Sequence, residues 1–171
     1  MCDFGLSRTD PGNKDKKVRC LSSHISSRWF RAPEIILIEK QYGHAVDIWS
    51  IGCIAYELVQ FSQKCTQENN NKSRALFPGE CCYPLTPRVQ DRTQEDQMSV
   101  ILDALPPLKA GDCDFIESTN GKKYIDKIQS ELAQTGRREA YLKTLEQESE
   151  ELQKLFHGML EVNPHKRWTA K

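Results

Sequence analysis

Between Ala45 and Gln60 nearly every helical face carries an apolar residue: Val46, Ile48, Trp49, Ile51, Ile54, Ala55, Leu58 and Val59. A helix that is apolar all round belongs in the middle of a fold, with other elements wrapped about it. The run from Val46 to Phe61 also carries Asp47, Ser50 and Glu57, and so falls short of the ~20 apolar residues that a membrane span needs. A central core helix is therefore expected. Asp47 stands at its start, where a carboxylate is expensive to bury unless backbone N–H groups satisfy it.

The remaining chain reads as helices and loops with hardly a strand candidate. Residues 7–28 are polar, with turn signals at Asp10-Pro11-Gly12-Asn13, and read as a mobile loop. Pro33 near the start of Ile35-Ile36-Leu37-Ile38 suits a short buried helical turn. Residues 61–96 are irregular. Met98, Ile101, Leu102 and Leu105 mark an amphipathic helix over 94–105, closed by Pro106-Pro107. A weaker helix is expected over 124–134, and a stronger one over 137–160 through Leu142, Leu145, Leu152, Leu155, Phe156, Met159 and Leu160. Asn163-Pro164 ends it, and the acidic stretch Glu146 to Glu151 reads as its solvated face.

At 171 residues the chain suffices for one domain or a large part of one. The 24 basic residues balance 24 acidic ones, so no charge field argues for nucleic acid. Seven cysteines form no CxxC pair, and Cys81-Cys82 lacks His partners at ligand spacing. They read as reduced thiols, in the cytoplasm and, as a second compartment, the nucleus. The residues after Met1 do not form a charged-then-apolar leader, and no membrane association is expected.

Four short patterns follow in order. Asp3-Phe4-Gly5 alone is weak, but 32 residues, both ends counted, take it to Glu34 of Arg31-Ala32-Pro33-Glu34. Asp47-Ile48-Trp49-Ser50-Ile51-Gly52 comes next, and Asn163-Pro164-His165-Lys166-Arg167 lies far downstream. With these motifs the chain resembles the eukaryotic protein kinases, from the Asp-Phe-Gly motif to the arginine near the end of the catalytic domain. Within them it resembles the MAP-kinase branch of the CMGC group. That likeness rests on residues 27–34 (Ser-Arg-Trp-Phe-Arg-Ala-Pro-Glu), on the insert from Leu76 to Pro87, and on Asp96-Gln97-Met98.

The resemblance implies a mainly α fold: part of a kinase C-terminal lobe, with the N-lobe and catalytic loop absent. It divides into an activation segment (1–34), the buried central helix region (35–60), a MAP-kinase-type insert (61–96) and C-terminal helices (97–171). Phosphoryl transfer depends on positioning and on neutralising phosphate charge. By resemblance Asp3 holds Mg²⁺ against the ATP phosphates, Cys2 lines the nucleotide pocket, and Gly5 lets the backbone turn. Glu34 and Arg167 are implied to form a buried ion pair tying the activation segment to the last helices. Such a pair adds little net stability, yet removing one partner strands a charge at a cost of ~3–5 kcal/mol. Asp47 is implied to anchor the catalytic loop, and a plain helix N-terminal role fits it equally.

The activation segment departs from its relatives. Where MAP kinases carry Thr-x-Tyr, this chain has Ser22-Ser23-His24, so phosphorylation is expected at Ser22, or at Ser23, without a phosphotyrosine. Arg28 and Arg31, which would receive that charge, are left without their expected partner. Ser27 stands at a position implied to contact the catalytic loop. Together with Arg28 and Arg31 it implies a protein substrate whose Ser or Thr precedes proline, and an upstream kinase as a further partner. Phe30 replaces the usual Tyr. No Gly-rich loop, β3 lysine or His-Arg-Asp motif occurs in the sequence, so the isolated chain is expected to be inactive and to expose an apolar patch around its central helix. Alternative readings are a non-catalytic scaffold and a product without a stable fold.

Overall fold

Pro33 opens the first helix because its missing N–H is one that a helix N-terminus leaves unpaired anyway. The computed structural model describes residues 7, 27–39, 42–64, 75–85, 95–136, 145 and 148–170. Within them a single 3-10 turn, Arg28–Phe30, leads into α1 (Pro33–Ile36). Then follow α2 (Ala45–Lys64), α3 (Gln97–Ala104), α4 (Thr119–Thr135) and α5 (Glu150–Met159). Among the described residues the only ladder-type pairing is an isolated bridge between Cys81 and Asp96. The expected mainly α character holds.

α1 ends in a pair of nested bonds: Ile38 N–H donates to Ile35 O, and Glu39 N–H to Glu34 O. This is a Schellman closure, which requires a left-handed residue at the position after the cap. That residue is Ile38, at φ 58°, a β-branched side chain where glycine is the usual choice.

α2 runs one turn beyond the expected Gln60, to Lys64. Trp49, Cys53 and Tyr56 fill its buried face. Trp49 stacks on Phe77 at 5.5 Å, and Tyr56 meets Phe156 of α5 edge-on at 6.0 Å. Gly52 permits this approach, since a Cβ there would lie 2.9 Å from the Leu160 side chain. α3 buries Met98, Val100, Ile101 and Leu102, and α4 joins the same core through Ile125 and Ile128.

The opposite face of α2 corrects the expectation of a helix buried all round. Ile51, Ile54, Leu58 and Phe61, at spacings of 3, 4 and 3, are 48–64% exposed. They form one stripe, with exposed Asp47 one turn before Ile51 on the same face. Since Asp47 is in water, it carries none of the burial cost anticipated for it. The expected apolar patch is present.

Three other boundaries differ from expectation. α3 starts at Gln97, after the Asp96 cap, and not at 94. α4 begins five residues early because the Ser118 side chain accepts from Gly121 N–H and caps it. The long helix expected over 137–160 does not run through its acidic stretch. Ser149 is extended (ψ 152°), accepts from Leu152 N–H and starts α5 afresh, with Glu150 and Glu151 in the first turn. There the two carboxylates favour the helix dipole. Capping chemistry overrode the leucine periodicity.

Candidate functional site

The centre of the site is the short segment Ser27–Glu34, and its anchor is the Glu34 side chain. Arg167 meets that carboxylate with two nitrogens, at 2.7 Å to Oε1 and 2.9 Å to Oε2. Its remaining donors reach the carbonyls of Ala45, Glu161 and Val162, and its guanidinium lies 5.1 Å from the Trp49 ring centre. Both side chains of the pair are essentially inaccessible (0% and 2%), so every polar atom needs a partner, and these are supplied. The ion pair expected from the sequence is therefore present. It joins α1, the start of α2 and the terminal Asn163–Arg167 turn.

That turn is organised by Asn163, whose Oδ1 accepts from His165 N–H and whose amide donates to Gly111 O. Lys166 closes on Asp112 at 2.7 Å. Burial pushes the Asp112 carboxyl up, but Lys166 and the Lys109 N–H more than offset this and hold it below the ordinary carboxylate range. Glu39 behaves oppositely. Burial raises its carboxyl against the opposing pull of the Glu117 N–H, and its Oε1 is buried with no hydrogen-bond partner.

Upstream of the anchor, Ser27 and Trp29 are exposed and Arg28 and Phe30 half-buried. The segment is held from two sides. Ser50 Oγ of α2 donates to Phe30 O at 3.0 Å. From the insert, Gly79 O accepts from Trp29 Nε1 at 2.9 Å, and Glu80 O accepts from Arg28. Arg31 is buried and donates to Cys82 Sγ at 3.3 Å. Burial pushes the Cys82 thiol up, with Arg31 working against it. The two arginines expected to lack a phosphate partner are thus turned to the insert. A cavity of about 640 Å³ opens between Ser27–Phe30 and Pro78–Glu80.

Sequence reasoning missed the role of the insert as a brace. Its base is closed by Asp96, which caps α3 by accepting from Met98 N–H, and also accepts from Tyr83 N–H and the Tyr124 hydroxyl. The Asp-Gln pair opening α3 was visible in the sequence; its partners outside α3 lie 13 or more residues away and were not.

Cys2, Asp3, Gly5, Ser22 and Ser23 lie outside the described residues. Among the described residues no cluster of acids, histidines and cysteines could hold a metal, and no helix is long and apolar enough to cross a membrane. Cys53, Cys81, Cys82 and Cys113 form no disulfide.

Comparison with known proteins agrees with this geometry. The family model for the protein kinase domain matches residues 1–171. Mitogen-activated protein kinase 2 of Pneumocystis carinii is 29% identical over the whole chain, which covers 40% of that protein. The mitogen-activated protein kinase mpkB of Aspergillus fumigatus is 30% identical, with the same coverage. Mitogen-activated protein kinase 13 of Arabidopsis thaliana is 31% identical over 75% of the chain and 27% of its own length. The chain thus spans between about a quarter and two fifths of the relatives it matches. With the Glu34–Arg167 anchor in place and the whole chain matched, this protein belongs to the protein kinase family and is MAP-kinase-like.

Proposed function

We propose that the chain is the C-lobe portion of a kinase that moves the γ-phosphate of ATP to a Ser or Thr hydroxyl followed by proline. The observation that carries this reading is the Glu34–Arg167 pair, which fixes the end of the Ser27–Glu34 segment to the body of the lobe. A fixed segment can hold a peptide so that its hydroxyl meets the phosphate in line, which is most of what this chemistry requires of the protein. In this reading Asp3 binds Mg²⁺ beside the ATP phosphates, Cys2 lines the nucleotide pocket, and Gly5 allows the turn between them and the loop. Ser27, Arg28 and Arg31 shape the groove for the residue after the acceptor.

The catalytic base belongs to a His-Arg-Asp loop that these residues do not include. We place that loop on the exposed stripe of α2 around Asp47, so the 171-residue chain alone is inactive. Regulation is placed at Ser22, with Ser23 as the lesser site, under an upstream kinase or by self-phosphorylation. Location in the cytoplasm and nucleus is part of the same proposal.

The test is a radiolabelled ATP assay on the full-length protein with matched Ser-Pro and Ser-Ala peptides, followed by mass spectrometry of the active enzyme. Expected are Mg²⁺-dependent labelling of the Ser-Pro peptide, loss of at least about a hundredfold in Asp3→Asn, and phosphate between Cys20 and Ser27. Peptide labelling that ignores the proline would remove the substrate assignment. No labelling at all, with a folded protein that still binds partners, would favour a scaffold.

A further inference from the structure

The Trp29 and Arg28 side chains do not hold themselves in place; they hang on two backbone carbonyls, those of Gly79 and Glu80. Glu80 and Cys81 are tied by their N–H groups to Glu95 O, and the turn just before them, which carries Gly79, is held by one buried side chain. Gln97, inaccessible to solvent, donates from Nε2 to Phe77 O at 3.0 Å and accepts at Oε1 from Gly79 N–H at 3.1 Å. It thereby grips both ends of the Phe77-Pro78-Gly79 turn. Only an amide side chain supplies a donor and an acceptor at this reach: leucine offers neither, and a carboxylate offers no donor. Gln97 is itself held firmly as the first residue of α3, directly after the Asp96 cap.

The fit at the turn leaves no slack. A Cβ on Gly79 would lie 2.5 Å from Gln97 Oε1 and 2.6 Å from Gln97 Cα. The second distance is to backbone, so the strain could not be relieved by a side chain swinging away. The turn and α3 therefore move as one, and a displacement of either is passed to Trp29 and Arg28 through the same two carbonyls.

We infer that Gln97 is a positioning residue for the substrate-facing segment Arg28–Arg31, acting through Gly79. This rests on the proposed function above, in which that segment receives the peptide. Gln97 touches neither peptide nor nucleotide in this scheme, so its loss should weaken peptide recognition and leave the ATP site alone.

The experiment compares Gln97→Leu, Gln97→Glu and Gly79→Ala with Tyr124→Phe in the full-length protein. Tyr124→Phe removes a bond to Asp96 at the same end of α3 without touching the turn, and controls for plain destabilisation. Two quantities are read: hydrogen exchange of the Trp29 indole N–H, assigned by Trp29→Phe, and steady-state kinetics.

Gln97→Leu and Gly79→Ala should speed Trp29 exchange and raise KM for a Ser-Pro peptide by about three- to tenfold, with KM for ATP and kcat near wild type. Gln97→Glu, which keeps the acceptor, should fall between. Tyr124→Phe should lower the melting temperature and change neither quantity. Unchanged Trp29 exchange in Gln97→Leu would overturn the coupling. So would a peptide KM that follows melting temperature across all four variants. If wild type shows no kinase activity, the proposed function fails, and the Trp29 exchange alone still decides whether Gln97 holds the segment.

Discussion

Arg167 shows how much of this molecule depends on single side chains. All its hydrogen-bonding capacity is spent between Glu34 and three backbone carbonyls, in a place water does not reach. Arg167→Ala or Glu34→Ala should each destabilise the chain by ~3–5 kcal/mol, because each strands the partner's charge. The double change Glu34→Leu with Arg167→Met should cost clearly less than the sum, measured by urea unfolding. Costs that simply add would mean that the two groups are not coupled. Ile38 is the opposite case, a residue that works against the fold. Its left-handed backbone costs ~1–2 kcal/mol for a β-branched side chain, and its side chain is 44% exposed, so little packing would be lost. Ile38→Gly should therefore raise stability, by up to about 1 kcal/mol once the extra freedom of glycine in the unfolded chain is subtracted. A lower urea midpoint for that variant would show that the Ile38 side chain packs more than its exposure indicates.

At the scale of elements, α2 is the instructive one. Its apolar residues announced a helix, but periodicity could not say which faces the described residues cover. One face takes Trp49, Cys53 and Tyr56 into the core, while the stripe from Ile51 to Phe61 stays open. An exposed apolar stripe promotes association. Ile54→Lys with Leu58→Gln should reduce light scattering of the 171-residue chain and alter its folding stability by no more than about 0.5 kcal/mol, as surface changes do. In the full-length protein the same pair should lower the melting temperature, because the proposed function covers this stripe with the catalytic loop. Equal melting temperatures there would remove the stripe from that role. The break before α5 teaches a related lesson. Leucine spacing carried the expected helix straight through residue 149, yet a serine hydroxyl able to accept from Leu152 N–H begins a new helix. Local hydrogen bonding competes with periodicity wherever Ser, Asp or Asn precedes an acidic turn, and here it wins.

Across the whole molecule two carboxylates should shape the response to pH in opposite senses. Asp112 is held low by Lys166 and the Lys109 N–H, against its burial. Its stabilising contribution is complete above the ordinary Asp value, about 4, and is lost as pH falls through its lower folded value. Glu39 is held high by burial. The folded chain keeps that proton to higher pH than the unfolded chain, so stability falls as pH rises from about 4.3 through the folded value. Urea midpoints measured from pH 3 to pH 7 should flatten above about 4.5 in Glu39→Gln and lose part of the acid-side drop in Asp112→Asn. A Glu39→Gln curve parallel to wild type would show that Glu39 is solvated after all.

The sequence by itself determined the helical class, the central helix, the short turn opened by Pro33 and the family, because these rest on local spacing and on motifs that stay contiguous in the chain. It also named both members of the Glu34–Arg167 pair, though only the resemblance brought together residues 133 positions apart. The tertiary structure alone decided where Arg28, Trp29 and Arg31 spend their donors, that Gln97 grips the Phe77–Gly79 turn, and that Asp47 lies in water. The physical reason is that these depend on which polar groups end up beside which side chains and which helix faces are covered. That is a property of distant segments brought together, and no local pattern encodes it.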